Sequence, residues 1–82
     1  MDVLIRVQSS NIAAVGYRLA TETLIVEFRG GSSYSYSPVP VEVYDGLMIA
    51  ESKGSYLARH VTRNKAYTAT KLADVPVWDV RL

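Results

Sequence analysis

Alternating apolar and polar residues predict two neighbouring strands in the first third of the chain. The runs 11–18 (NIAAVGYR) and 23–29 (TLIVEFR) are rich in the β-branched and aromatic residues that favour strands. Four residues separate the two runs, and a loop of that length would pair Arg18 with Thr23. The core face of this hairpin would then carry Ala13, Val15, Tyr17, Leu24, Val26 and Phe28.

A third predicted strand, 32–37 (SSYSYS), follows a pair of glycines that suits a tight hairpin. The length of the turn decides where Tyr34 and Tyr36 lie. In a two-residue turn over the glycines, Arg29 pairs with Ser32 and both tyrosines lie on the face opposite the core. In a three-residue loop with a bulged serine, both tyrosines enter the core. Two consecutive glycines favour the two-residue turn, so we predict the non-core face.

Helical spacing begins after Pro40, which suits the first turn of a helix because its missing N–H costs nothing there. Apolar residues recur at helical intervals as far as Gly54, which we predict ends this helix. Ser55 would cap a second helix, in which Leu57 and Val61 point towards the core. The pattern therefore predicts an α+β fold: a three-stranded antiparallel β-meander followed by two short α-helices packed on one face, with a C-terminal extended tail.

The chain of 82 residues is long enough for one domain with a modest core. Hydrophobic residues make up 49% of it and charged residues 21%, a composition typical of a folded protein. We assign residues 1–67 to this domain. Residues 68–82 form a C-terminal extension that we expect to pack on it.

Cysteine is absent, which excludes disulfides and zinc–thiolate sites and fits a reducing compartment. The longest apolar runs are far shorter than the roughly 20 residues needed to cross a bilayer. Asp2 and Arg6 interrupt the apolar stretch near the N-terminus, so no signal peptide is expected. We therefore expect a cytoplasmic protein that makes no membrane contact.

Positive charge is concentrated in residues 52–73, although the net charge of the chain is only +1. The segment contains no acidic residue, and its basic residues are Lys53, Arg59, His60, Arg63, Lys65 and Lys71. Such a segment suits contact with a polyanion, and a solvated helix face explains it equally well. His60 has no second ligand at metal spacing, so we expect no metal site.

No group of residues in the sequence indicates catalysis. The carboxylates are scattered singly, which leaves no pair for general acid–base chemistry. The RGGS sequence at 29–32 lacks the lysine and the following helix of a phosphate-binding loop. The SSN sequence at 9–11 could hold a phosphate, but its short polar side chains before a strand are typical of turns, which is the interpretation we favour. We expect a protein that is not an enzyme and needs no cofactor.

Several stretches together resemble one known family. They are SSNIAAVGY at 9–17, the spacing of Leu24, Val26, Phe28, Gly31, Tyr34 and Tyr36, the VP..VY..L..A.S.G run over 39–54, and the closing Tyr56, Val61 and Tyr67. The combination, which covers 7–67, resembles the KTSC domain, found at the C-terminus of some lysyl-tRNA synthetases and as a stand-alone protein in bacteria and phages. One position departs from the family, which commonly has Asn where this chain has Ala58.

The resemblance and the basic segment favour a non-catalytic binding module. RNA is the partner that the synthetase context implies, and the candidate nucleic-acid-binding residues are Tyr34, Tyr36, Lys53, Arg59, His60, Arg63 and Lys65. The alternative is a small phage or bacterial accessory protein that binds and modulates a larger host protein complex. The sequence leaves both interpretations open.

The tail at 73–82 (ADVPVWDVRL) is the feature that favours a protein partner. Its valines and Trp78 are too apolar for a solvated terminus, so something must cover them. The cover is the domain itself, with the tail as an edge strand, or a second copy of the chain in a homodimer, or a foreign protein anchored by Trp78.

Fluorescence of the single tryptophan tests these alternatives. We expect Trp78 emission to be blue-shifted at every protein concentration, because a small core gains most by recruiting nearby apolar surface. Emission typical of indole in water, from a monomeric sample, would contradict coverage by the domain and favour a protein partner. A blue shift lost on dilution would indicate a homodimer.

Overall fold

A computed structural model describes residues 3–72 and 79–81, which form one sheet and two helices. The elements are β1 (Val3–Arg6), β2 (Ile12–Arg18), β3 (Thr23–Phe28), β4 (Ser33–Ser37), α1 (Val41–Ile49), α2 (Lys53–Leu57), β5 (Thr68–Lys71) and β6 (Asp79–Arg81). The strand order in the sheet is β5-β4-β3-β2-β1-β6. The predicted α+β class is confirmed, and so is the central meander of β2, β3 and β4.

The predicted number of three strands is wrong, because shorter strands flank the meander. β1 and β5 extend it on either side as antiparallel neighbours, and β6 pairs with β1 in parallel. β5 has the sequence TATK and is exposed throughout, so no alternation of apolar and polar residues marks it as a strand. Within the predicted tail, residues 79–81 form the edge strand β6, whereas Trp78 lies outside the described residues.

The hairpin of β2 and β3 has the predicted register, with Arg18 opposite Thr23. A bulge between Ile12 and Ala14 then shifts the pairing, so that Ile12 lies opposite Phe28. The bulge places the fully buried Ile12 in the core, where the simple alternation had placed Ala13.

The hairpin of β3 and β4 contradicts the predicted two-residue turn. Tyr34 lies opposite Val26, and Tyr36 lies opposite Leu24. The Phe28 N–H donates to the Ser32 carbonyl at 2.8 Å, so the loop between them has three residues and Arg29 does not pair with Ser32. Both tyrosines therefore lie on the core face, and the prediction of the non-core face is wrong.

The physical reason lies in the conformations of the two glycines. A two-residue primed turn needs a positive φ at the first glycine or at both glycines, with the strands closed directly around them. Here Gly31 is left-handed, with φ of 98°, whereas no positive φ occurs at Gly30. One left-handed residue at the end of a three-residue loop closes this hairpin, as in a turn followed by a G1 bulge.

The two helices follow Pro40 and Ser52. Pro40 precedes the first residue of α1, and the Ser52 hydroxyl accepts the Ser55 N–H at 3.4 Å at the start of α2. Ser52 is therefore the cap predicted at Ser55, and Gly54, predicted to end the first helix, lies inside α2. A π-helical segment, Ala58–Thr62, continues α2. No helix in the described ranges is long and apolar enough to span a membrane.

The main core lies between the helices and one face of the sheet. Its buried members come from β2, β3, β4, the segment before α1 and both helices: Ile12, Val15, Leu24, Val26, Tyr36, Val39, Leu47, Leu57 and Val61. The inward orientation predicted for Leu57 and Val61 is confirmed. On the opposite face of the sheet, Leu4, Ala14 and Ile25 form a smaller buried cluster with Leu72 packed against it.

The register can be tested by truncating side chains of β4. Tyr36 is 4% exposed, so Tyr36→Ala should lower the free energy of unfolding by about 3 kcal/mol or more, at least as much as Phe28→Ala. Ser35→Ala, on the opposite face, should change it by about 0.5 kcal/mol or less. Urea unfolding measures all three, and a Tyr36→Ala loss no larger than that of Ser35→Ala would contradict the register.

Candidate nucleic-acid interface

A groove of about 410 Å³ opens between the outer strands β4 and β5 and the second helix. Nine residues from most parts of the domain line it: Asn11, Phe28, Tyr34, Tyr36, Gly54, Leu57, Ala58, Thr62 and Ala69. A volume of this size is within the range of small-molecule pockets. The groove is the candidate site because it contains both predicted tyrosines.

Three aromatic rings form the sheet side of the groove. Phe28 meets Tyr34 edge-to-face, with ring centroids 6.0 Å apart and planes at 77°. Tyr34 and Tyr36 are nearly parallel, with centroids 6.4 Å apart and planes at 23°. Tyr36 is buried and Tyr34 is half-buried, so Tyr34 offers the more accessible ring. The pair lines a pocket and does not form the open stacking surface that the predicted turn implied.

Strand β5 supplies two further residues on the same face. Ala69 lies opposite Tyr36, and Lys71 lies opposite Tyr34. Directly opposed residues of antiparallel strands project from the same face of the sheet. The small Ala69 therefore leaves space beside the tyrosines, and the exposed Lys71 places a positive charge on the face that carries Tyr34.

The helical wall consists of Gly54, Leu57, Ala58 and Thr62. Residues spaced by three or four along a helix share a face, which explains why these four line the groove together. Ala58, the position at which the sequence resemblance implied Asn, is one of them, so this difference falls inside the groove.

A turn at 9–11 contributes Asn11 to the lining of the groove. The Ser9 hydroxyl accepts the N–H groups of Asn11 at 3.4 Å and Ile12 at 3.2 Å, and donates to Asn11 Oδ1 at 3.1 Å. Arg29 braces this turn, because its Nε donates to the Ser9 carbonyl at 2.7 Å and its backbone N–H donates to the Asn11 carbonyl at 3.0 Å.

The basic residues predicted from the sequence fall into two groups. Arg59, Arg63 and Lys65 are exposed, and the first two directly follow groove residues along the chain. Lys53 has a structural task, since its Nζ donates to the carbonyls of Met48 and Ala50, both at 3.0 Å, at the end of α1. Lys53 therefore stabilises a helix end rather than the rim of the groove.

His60 is exposed and contacts a ring outside the groove lining. Its ring centroid lies 4.4 Å from that of Tyr56, with planes at 42°. The Tyr56 hydroxyl in turn lies over Gly46, where a Cβ would overlap it. Across residues 3–72 and 79–81, no cluster of three or more potential ligands could hold a metal ion.

Sequence reasoning missed most of the groove wall. Asn11 was assigned to a turn, Phe28 to the core, and neither Thr62 nor Ala69 was singled out. Lys71 was recognised only as part of the basic segment. The pairing of β4 with β5 brings Lys71 and Ala69 to the tyrosines, and the exposed TATK sequence gives no signal of that pairing.

Burial in the core raises the pKa of the Tyr36 phenol above its usual value of 10.0, although a hydrogen bond from the Thr62 side chain acts in the opposite direction. Burial also raises the pKa of Tyr17 and Tyr44, whose rings stack with centroids 4.9 Å apart. Nearby carboxylates add to the effect at Tyr17, first Glu22, then Glu42 and Asp45.

Comparison with known proteins identifies the family. The KTSC domain profile matches residues 8–67. The chain belongs to the KTSC domain family. The crystal structure of a KTSC domain protein from Yersinia pestis has the same fold, with a TM-score of 0.77 and 30% sequence identity over 85% of this chain and 96% of that chain.

Relatives of this KTSC protein include small proteins and parts of large enzymes. A protein from Tsukamurella paurometabola is 47% identical over 51 residues, which are 62% of this chain and 76% of the relative. A lysine–tRNA ligase from Nostoc sp. is 40% identical over 58 residues, which are 71% of this chain and 10% of the ligase. This chain therefore spans about a tenth of the length of that ligase.

The buried phenol of Tyr36 should make the fold less stable in alkaline solution. Its pKa is higher in the folded chain, so the unfolded chain loses this proton first as the pH rises above about 10. The contribution of Tyr36 to stability is therefore complete below that pH and is lost above it. Urea unfolding from about pH 8 to 11 should give a flatter profile for Tyr36→Phe than for the wild type. Parallel profiles would show that the phenol ionises equally easily in both states.

Proposed function

We propose that this KTSC protein is a non-catalytic module that binds single-stranded RNA, with a base in the groove against Tyr34 and phosphates at the basic rim. The observation that carries the proposal is the register of β4 and β5. It places the ring of Tyr34 and the positive charge of Lys71 on one face, beside the acid-free helical segment. A cytoplasmic location belongs to the same proposal.

The groove has the chemistry of a site for a planar ring. Phe28, Tyr34 and Tyr36 provide aromatic surface, and Leu57 and Ala58 provide an apolar wall opposite. Stacking of a base on an aromatic side chain contributes about 1 to 3 kcal/mol in proteins that bind single strands. Because every base has a π-face, such a site accepts RNA of varied sequence.

The rim provides the charge that a phosphate backbone needs. Arg59, Arg63, Lys65 and Lys71 are all exposed, and the segment 52–73 contains no carboxylate that would repel phosphates. The named function of the ligase relatives, the joining of lysine to its tRNA, supports RNA as the polyanion.

The alternative, a small phage or bacterial accessory protein that binds a host complex, becomes the better hypothesis if RNA fails to bind.

Charge reversal at the rim should reduce both affinity and its dependence on salt. Each phosphate contact to a single strand adds about −0.7 to the slope of log K against log salt, so three contacts add about −2. Changing Arg59, Arg63 and Lys65 to Glu should remove this part of the slope, as measured by fluorescence anisotropy with a labelled oligonucleotide. Arg6→Glu, exposed on β1 at the far side of the sheet, is the control that should keep it. An unchanged slope in the triple variant would refute the phosphate contacts.

Tyr34→Ala should weaken binding of the same oligonucleotide without changing the slope of log K against log salt. Loss of one stacked base predicts a fall of about 1 to 3 kcal/mol in binding free energy. Circular dichroism establishes whether the variant remains folded. Equal affinities for the folded variant and the wild type would exclude Tyr34 as a stacking residue.

A further inference from the structure

The amide of Asn11 has an orientation that hydrogen bonding determines. The Ser9 hydroxyl oxygen accepts two N–H groups, from Asn11 and Ile12, which occupy both of its lone pairs. Its own hydrogen is then the group available for Asn11, at 3.1 Å, and a hydrogen can be accepted only by Oδ1. The oxygen of the amide therefore faces Ser9, and the nitrogen Nδ2 is the end with donors to offer.

Helix α2 holds this amide in place from the other side. A Cβ on Gly54 would lie 2.5 Å from Asn11 Oδ1 and 3.2 Å from Asn11 Nδ2, so the amide packs directly on the backbone of Gly54. Both residues line the groove. Among residues 3–72 and 79–81, Nδ2 has no hydrogen-bond partner, which leaves its two N–H groups for a ligand.

A fixed donor discriminates between bases by their exocyclic groups. Uracil and guanine present a carbonyl oxygen, whereas adenine and cytosine present an amino group at the corresponding position. The usual recognition of adenine by Asn needs both the oxygen and the nitrogen of the amide. In Asn11 the oxygen accepts from Ser9 and packs against the backbone of Gly54, so the nitrogen is the end of the amide that is open towards a base.

We infer that Asn11 is a specificity residue, which selects uracil and guanine over cytosine and adenine, because the first two carry a carbonyl oxygen at the ring position where the other two carry an amino group. The inference rests on the proposed function, since it requires a base in the groove. The direction of the base preference follows from the hydrogen bond that the Ser9 hydroxyl donates to Asn11 Oδ1.

The matched comparison is oligouridine against oligocytidine, each of about eight nucleotides. Both are pyrimidines of equal ring size, and they differ at the carbonyl or amino group. With uracil, the Asn11 N–H gains a hydrogen bond to the carbonyl oxygen. With cytosine, the same N–H faces an amino group, which is also a donor. We therefore expect the wild type to bind oligouridine about 3- to 10-fold more tightly than oligocytidine. Fluorescence anisotropy at fixed salt measures both affinities.

Variants of the groove separate the role of Asn11 from general binding. Asn11→Ala should equalise the two affinities, and Asn11→Asp, which offers acceptors in place of donors, should reverse the preference towards oligocytidine. Gly54→Ala keeps Asn11 but displaces its amide, and Ala is favourable within a helix, so this variant should also lose the preference while remaining folded. Ser55→Ala, exposed on the same helix, is the control that should retain it.

The outcomes distinguish this inference from the proposed function. A wild type that binds neither oligonucleotide overturns both. A wild type that binds the two equally, or a preference that survives in Asn11→Ala and Gly54→Ala, overturns the role of Asn11 and leaves RNA binding intact.

Discussion

The register between β3 and β4 is the constraint on which the core and the groove both depend. Phe28 opposes Ser32, and every second residue of the two strands then faces the helices. A slip by one residue would send both tyrosines to the other face and bring serines against the helices. Burying a large apolar side chain contributes about 1.5 to 3 kcal/mol, whereas the conformational cost of a glycine is about 1 kcal/mol or less. Burial of the tyrosines therefore outweighs the turn preference of the glycine pair.

Close contacts between backbone and side chains position the two helices of the domain. Gly54 lets the start of α2 lie against the amide of Asn11, and Gly46 lets α1 lie under the Tyr56 hydroxyl. Lys53 connects the two helices, because its ammonium caps the carbonyl end of α1 from the first residue of α2. Of these residues Gly54 and Asn11 also line the groove, so the contact that sets the position of α2 forms part of the groove wall.

Features set by local sequence pattern could be predicted from the sequence, whereas features set by strand pairing in the finished sheet could not. The α+β class and the Arg18–Thr23 pairing followed from periodicity and loop length. The Ile12 bulge and the β3–β4 loop could not be predicted, because both depend on which side chains a finished core buries. Strand β5 could not be predicted for a related reason, because its four exposed residues form a strand only where β4 offers a free edge. The tyrosines were therefore identified as candidates, but not the lysine and the amide beside them.

Ala58 lines the groove at the position where the sequence resemblance implied Asn. An Asn there would add a second amide to the lining, with both a donor and an acceptor to satisfy. Ala58 removes these polar groups and leaves Asn11 as the amide among the described lining residues. An unsatisfied buried polar group costs about 1 to 3 kcal/mol, so the alanine also removes a penalty against ligands that cannot pair with it. The remaining polarity of the groove then comes from hydroxyl groups and from one oriented amide, whose direction is determined by Ser9.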